Sequence, residues 1–175
     1  MWTALSLALV AFAVAGATSD VRAQRIPNGL VLAGLAAALI LRAFWGGLPL
    51  WHGFTGATIA LLIGLPLFLL RAVGGGDLKF LAVCGAFVGL PLVGRAVLWA
   101  GVAGGVVALW VVFRRGVPLV AWHRTKELLK AGLSLGKSGN RFTIEDQGAL
   151  TAPYGVAIAA GALLAWFGTA GGWIP

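Results

Sequence analysis

The sequence predicts an all-α fold, a polytopic membrane helical bundle of about six transmembrane helices, and three observations predict it. Of its 175 residues 60% are hydrophobic and only 10% charged, with mean hydropathy +0.97, which is far too apolar for a soluble domain. The apolar residues fall into runs of about bilayer length, roughly 18 to 20 residues each. Most of the Lys and Arg residues lie between these runs, where membrane topology places them, rather than along one basic face.

Runs broken by Gly, Pro or charge give spans at about 2–19, 29–45, 53–70, 78–93, 96–113 and 150–168. The first run has no basic n-region, because Met1-Trp2-Thr3 leads straight into Ala and Leu, so it resembles a retained helix more than a cleaved signal peptide. The second opens after Pro27, whose fixed φ suits a first helical turn, and Asn28 could accept hydrogen bonds from freed backbone amides. The third ends at Arg71, ahead of a glycine run. The fourth is short and holds Gly85, Gly89 and Pro91. Between the fifth and sixth lies the one sizeable polar region, a loop at about 114–149; within it Leu119 to Lys130 has the pattern of a helix lying on an anionic membrane surface. This leaves room for a single membrane-embedded domain over 1–175 and little else.

With six spans, 11 of the 13 Lys and Arg residues fall on one side, and only Arg42 and Arg95 on the other. The positive-inside rule then puts the loops one-two, three-four and five-six in the cytoplasm and both termini outside. The formal charge of +8 therefore reflects topology and excludes a nucleic-acid-binding face. Cys84 is the lone cysteine, which excludes a disulfide framework and a Cys-x-x-Cys zinc site. His123 has no second histidine or acid beside it, and the glycine run is not followed by Lys-Ser or Lys-Thr, so neither a metal nor a nucleotide cofactor is expected.

Only two carboxylates, Asp20 and Asp77, occur in the first 126 residues, each where an apolar span meets a polar turn. An acid at a membrane boundary is costly unless hydrated, paired or used. The orientation, derived from Lys and Arg alone, brings both acids to the cytoplasmic side. Asp20 precedes Arg22 and Arg25, which anchor at phosphate depth. Asp77 follows Gly74-Gly75-Gly76, which permits close backbone approach of another helix or an extended substrate; read structurally, the same motif is a tight turn with Asp77 capping the next helix. Two carboxylates a few ångströms apart would share a proton, one acting as base toward water and the other as acid toward a scissile carbonyl. Lys79 is two positions beyond Asp77, off its helix face, and reads as an interfacial anchor. A transporter would place its rare acids near mid-bilayer instead.

Asp20 with Arg25-Ile26-Pro27-Asn28, then Gly74-x-Gly76-Asp77 with Lys79, then Pro153-Tyr154-Gly155 at the head of the last span resemble the prepilin leader peptidase family, over most of the chain. The family belongs to the Gly-x-Gly-Asp membrane aspartic proteases. The resemblance implies that Asp20 and Asp77 are catalytic, that Gly74, Gly75, Gly76 and Lys79 form the active-site loop, and that Arg25, Pro27, Asn28, Pro153, Tyr154 and Gly155 support it. It further implies cleavage of the basic leader from type IV pilin precursors at the cytoplasmic face of the bacterial plasma membrane, without cofactor. The paired Cys-x-x-Cys region of the larger bifunctional members is missing, so amino-terminal methylation is not expected. The compact form is more similar to the peptidases of tight-adherence (Flp) pilus systems, with archaeal preflagellin peptidases as relatives.

Overall fold

The computed structural model describes residues 2–44, 49–70, 73–115 and 154–170, and within them it forms six helices and no strand. They are α1 (Trp2–Ala23), α2 (Asn28–Phe44), α3 (Leu50–Leu69), α4 (Gly75–Val88), α5 (Leu90–Arg115) and α6 (Tyr154–Ala170). Among the described residues three stretches are long and apolar enough to cross a membrane, Ala4–Ala23, Leu50–Leu69 and Leu90–Val111, and α2 and α6 are shorter apolar helices. The chain is thus an all-α membrane bundle.

The helix at the centre is α4. Every residue from Ala82 to Gly89 is buried, and α4 touches each of the other five helices. A helix buried on all its faces needs apolar side chains all round, and Leu78 to Val88 provide them apart from Lys79 at the rim. Phe80 and Phe87 of α4 enclose Phe12 of α1 at ring-centroid distances of 4.9 and 5.5 Å. The rings fit because Gly16 receives Phe80 and Gly34 receives Phe12, where any Cβ would overlap the ring. Close backbone approach likewise joins α3 to α4 at Gly56 and Gly85, and α6 to α5 at Gly161. With lipid as apolar as the interior, such close packing is what holds membrane helices together. Large apolar residues such as Leu7, Leu32, Leu62, Leu98 and Phe113 point outward, as a lipid-facing surface requires. At the end of α5 Arg114 lies over the Trp110 ring, 4.9 Å from its centroid, the kind of aromatic and cationic anchor found at a membrane interface.

The helix ends depart from the sequence expectations in two places. First, α1 runs on through Asp20 to Ala23, so this acid lies in the last helical turn and not in a loop. Second, the break between the fourth and fifth helices, expected near 94–95, falls at Gly89, whose φ of +78° is reserved almost entirely for glycine. Pro91 does not break the following helix because it sits in its first turn, where no backbone N–H is required of it. Consequently Arg95, expected between spans on the outer side, lies within α5, while Arg42, assigned to that side by the charge count, lies within α2 as the span at 29–45 has it. The expected surface helix at 119–130 and most of the loop at 114–149 lie outside the described residues.

Candidate active site

The turn joining α1 to α2 is built first from local contacts. Gln24 adopts φ 49° and its N–H donates to the Asp20 carbonyl at 2.8 Å, while the Ser19 hydroxyl donates to the Arg25 carbonyl at 2.8 Å. These bonds terminate α1 and turn the chain so that Ile26 is buried. Pro27 then precedes α2, and its carbonyl accepts the N–H of Val31 at 3.2 Å. Asn28 does not cap its own helix as expected. Its Oδ1 accepts a hydrogen bond from Lys79 Nζ at 3.1 Å, so Lys79 ties the start of α2 to the first turns of α4.

The glycine run forms the entry to α4. Gly74 is its N-cap in extended conformation, and Gly75 and Gly76 occupy the first two helical positions. Asp77 is the third, the position from which a side chain reaches back to the N-cap, and its carboxylate accepts the backbone N–H of Gly74. The capping role is the one found here: Gly76 faces the α1–α2 turn, but a Cβ there would lie 3.6 Å from Ile26 N, an ordinary contact that does not require glycine.

Asp20 is only 5% exposed. Its Oδ2 accepts the backbone N–H of Gly155, the second residue of α6, at 2.7 Å. The free N–H groups and positive dipole at a helix start favour an anionic partner there. A Cβ at Gly155 would come within 2.8 Å of both Cβ and Oδ2 of Asp20, so the acid occupies the space that glycine leaves.

The two acids are electrostatically coupled. The Asp77 carboxyl is pushed up to about 6, chiefly by burial and then by the negative charge of Asp20, against the opposing pull of the Gly74 N–H. Asp77 also acts on Tyr154, at the head of α6. Three helix ends thus converge: the last turn of α1, the first turn of α4 and the first turn of α6. Beside them runs an apolar groove of about 270 Å³ between α3, α4, α5 and α6, whose walls include Leu67, Leu78, Gly101, Gly104, Tyr154 and Ile158.

Of the residues singled out in the sequence, the structure assembles Asp20, Asp77, Gly74, Gly76, Lys79, Asn28, Tyr154 and Gly155 into this one region. Gly75 faces α3, where a Cβ would lie 3.5 Å from the Phe68 ring, Arg25 is exposed with its carbonyl engaged by Ser19, and Pro27 shapes the turn. Pro153 lies outside the described residues. Sequence reasoning did not single out Ser19 and gave Ile26, quoted within its motif, no role of its own, although both set the turn; an apolar residue in an otherwise polar connection was the available signal.

Comparison with known proteins matches residues 7–109, more than half of the chain, to the Type IV leader peptidase family. No curated protein matches, and no solved structure does. The matched stretch includes both acids and the glycine run that positions Asp77, so sequence and geometry converge on one conclusion: the chain belongs to the type IV leader peptidase family of membrane proteases.

Proposed function

We propose that this protein is an intramembrane aspartic endopeptidase that removes the basic leader of type IV prepilins, with Asp20 and Asp77 activating water. The observation that carries the proposal is the meeting of the two acids where the ends of α1, α4 and α6 converge, Asp20 on the Gly155 N–H at 2.7 Å and Asp77 in the first turn of α4, raised partly by the charge of Asp20. A pair that holds one proton has one acid ready to accept and one ready to donate. The ionised carboxylate takes a proton from water as its oxygen attacks the scissile carbonyl carbon, and the protonated carboxyl gives its proton to the carbonyl oxygen. Collapse of the tetrahedral intermediate breaks the C–N bond: the new amine leaves with a proton given by the first acid, and the second carboxylate takes back a hydroxyl proton as the C=O re-forms, which restores the pair.

The substrate reading follows from the family and from the setting of the pair. A precursor helix lying in the apolar groove would reach Leu78 and Tyr154, the wall residues nearest the acids, and so bring its leader junction to them. The arginine-rich turns beside Asp20 support a cytoplasmic active site in the plasma membrane, with six membrane-embedded helices in one domain and both termini outside. The compact form supports precursors of the tight-adherence (Flp) type, and the single cysteine, too few for paired Cys-x-x-Cys motifs, supports a peptidase without methyltransferase activity.

The test is the Asp20→Asn and Asp77→Asn variants, assayed by the size shift of a co-expressed prepilin. Each should lower processing by about 10²- to 10⁴-fold while the protein remains inserted. Normal maturation in either variant rejects the paired mechanism. Trypsin added to inside-out vesicles should cut the loop at 114–149, and protection would overturn the orientation.

A further inference from the structure

We infer that Arg42 is a positioning residue for Asp77: by holding the far end of α4 it sets the height of that helix, and hence of the acid at its near end, in the bundle. The inference rests on the reading of Asp77 as a catalytic acid.

The starting point is the length of α4. Its 14 residues rise about 21 Å at ~1.5 Å per residue, well short of a hydrocarbon core of about 30 Å. With Asp77 at the rim, the other end is stranded inside the apolar body, where Ala86, Phe87, Val88 and Gly89 are all buried. The last carbonyls of a helix have no partner within it, and hydrocarbon offers none. Those of α4 are met by Arg42, itself 2% exposed: Nε donates to the Ala86 carbonyl at 2.8 Å and Nη2 to the Phe87 carbonyl at 2.7 Å. A guanidinium suits this place because it presents donors in a fixed fork and brings positive charge to the negative end of the helix.

The surroundings are shaped for this one side chain. A Cβ on Gly89 would come within 2.6 Å of Arg42 Nη2, and a Cβ on Gly53 of α3 within 3.0 Å of Arg42 Cδ. Two glycines thus form the slot that admits the guanidinium and its stem. Among the described residues the only carboxylates are Asp20 and Asp77, at the other end of α4, so Arg42 serves α4 through its carbonyls and not through an ion pair.

The same helix, α2, also holds the near end of α4, through Asn28 Oδ1 and Lys79 Nζ. α2 therefore clasps α4 at two points, one beside Asp77 and one about 15 Å along the helix from it. Loss of the far clasp leaves α4 free to slide or tilt toward donors nearer the surface, which would displace Asp77 from Asp20.

The experiment compares Arg42→Met and Arg42→Lys with wild type and with Asp77→Asn, using purified full-length enzyme and a prepilin substrate, with kcat expressed per folded molecule from thermal melts. Arg42→Met should lower kcat at least tenfold with KM within twofold, and Arg42→Lys, which keeps a donor and the charge without the fork, should recover part of the loss. A purely structural role would reduce the folded fraction and leave kcat per folded molecule unchanged, and that result overturns the inference. Where Arg42→Met does not fold, Arg42→Lys decides: a kcat reduced at constant KM supports the positioning role, and a wild-type kcat ends it. An active Asp77→Asn enzyme would instead overturn the catalytic reading itself, whatever the Arg42 variants do.

Discussion

Gly155 donates its backbone N–H to Oδ2 of Asp20 at 2.7 Å, joining residues 135 positions apart in the chain. One end of the proposed catalytic pair is thereby held by the last helix of the bundle, although the family match ends at residue 109. Gly155→Ala tests this relation. Its Cβ would collide with the acid at 2.8 Å, so Asp20 must move. Cleavage should fall at least ~10-fold in a protein that still inserts, since small misplacements of reacting groups are costly. Gly94→Ala, at an exposed site outside the groove with nothing within 4 Å, is the control and should leave the rate unchanged.

The raised Asp77 carboxyl gives a pH dependence with a definite sign. The mechanism needs one proton on the pair, and Asp77 loses its proton as pH rises through about 6. Substrate cleavage, measured as kcat/KM in proteoliposomes, should therefore decline on the alkaline side of that value. Asp20→Asn removes the like charge and should let Asp77 ionise at lower pH, which an infrared titration of its carboxyl would detect. An unmoved titration would mean that the two acids do not sense each other.

Gly76 distinguishes contact from mere flexibility. A Cβ there meets Ile26 at 3.6 to 3.7 Å, an ordinary contact, so Gly76→Ala should retain most activity. The additional methyl groups of Gly76→Val would press on the α1–α2 turn, and cleavage should drop several-fold. Equal rates for the two variants would show that the turn yields at no cost.

Packing of α4 against α3 should be more sensitive than any lipid-facing site. A Cβ on Gly56 would overlap the Gly85 carbonyl and approach Gly89 Cα at 2.9 Å, both backbone groups that cannot rotate away. Gly56→Ala should cost about 1–3 kcal/mol, read from unfolding in detergent. Gly101→Ala, which meets nothing within 4 Å, should be near neutral, and equal effects at the two sites would refute the close approach.

Some of this was readable from composition and spacing. Apolar runs of bilayer length predict six helices because water-free surroundings force the backbone into helices. The rarity of acids in the first 126 residues isolates Asp20 and Asp77 because a membrane tolerates few unpaired charges. The glycine run before Asp77 announces a turn, which is found, and a close approach, which is not, since a Cβ at Gly74, Gly75 or Gly76 would meet nothing nearer than 3.4 Å. What one-dimensional reading missed concerns contacts between distant segments. Arg42 falls near the end of the expected second span and reads only as an outer-side charge, yet α4 is too short to cross the bilayer and its end carbonyls draw the guanidinium inside. The fourth helix ends at Gly89 and not near 94–95 because Arg42 and a positive φ fix that position, neither of which is visible in hydropathy.

The sequence by itself determined the class of molecule, its helices and its two exceptional acids, because each of these follows from the cost of placing polarity in lipid. Only the tertiary structure decided which groups serve those acids: Gly155 from the last helix on Asp20, Gly74 on Asp77, and Arg42 at the opposite end of α4. Hydrogen-bond partners depend on where helices come to rest against one another, and that is settled by how glycines, rings and side-chain stems fit together across the bundle.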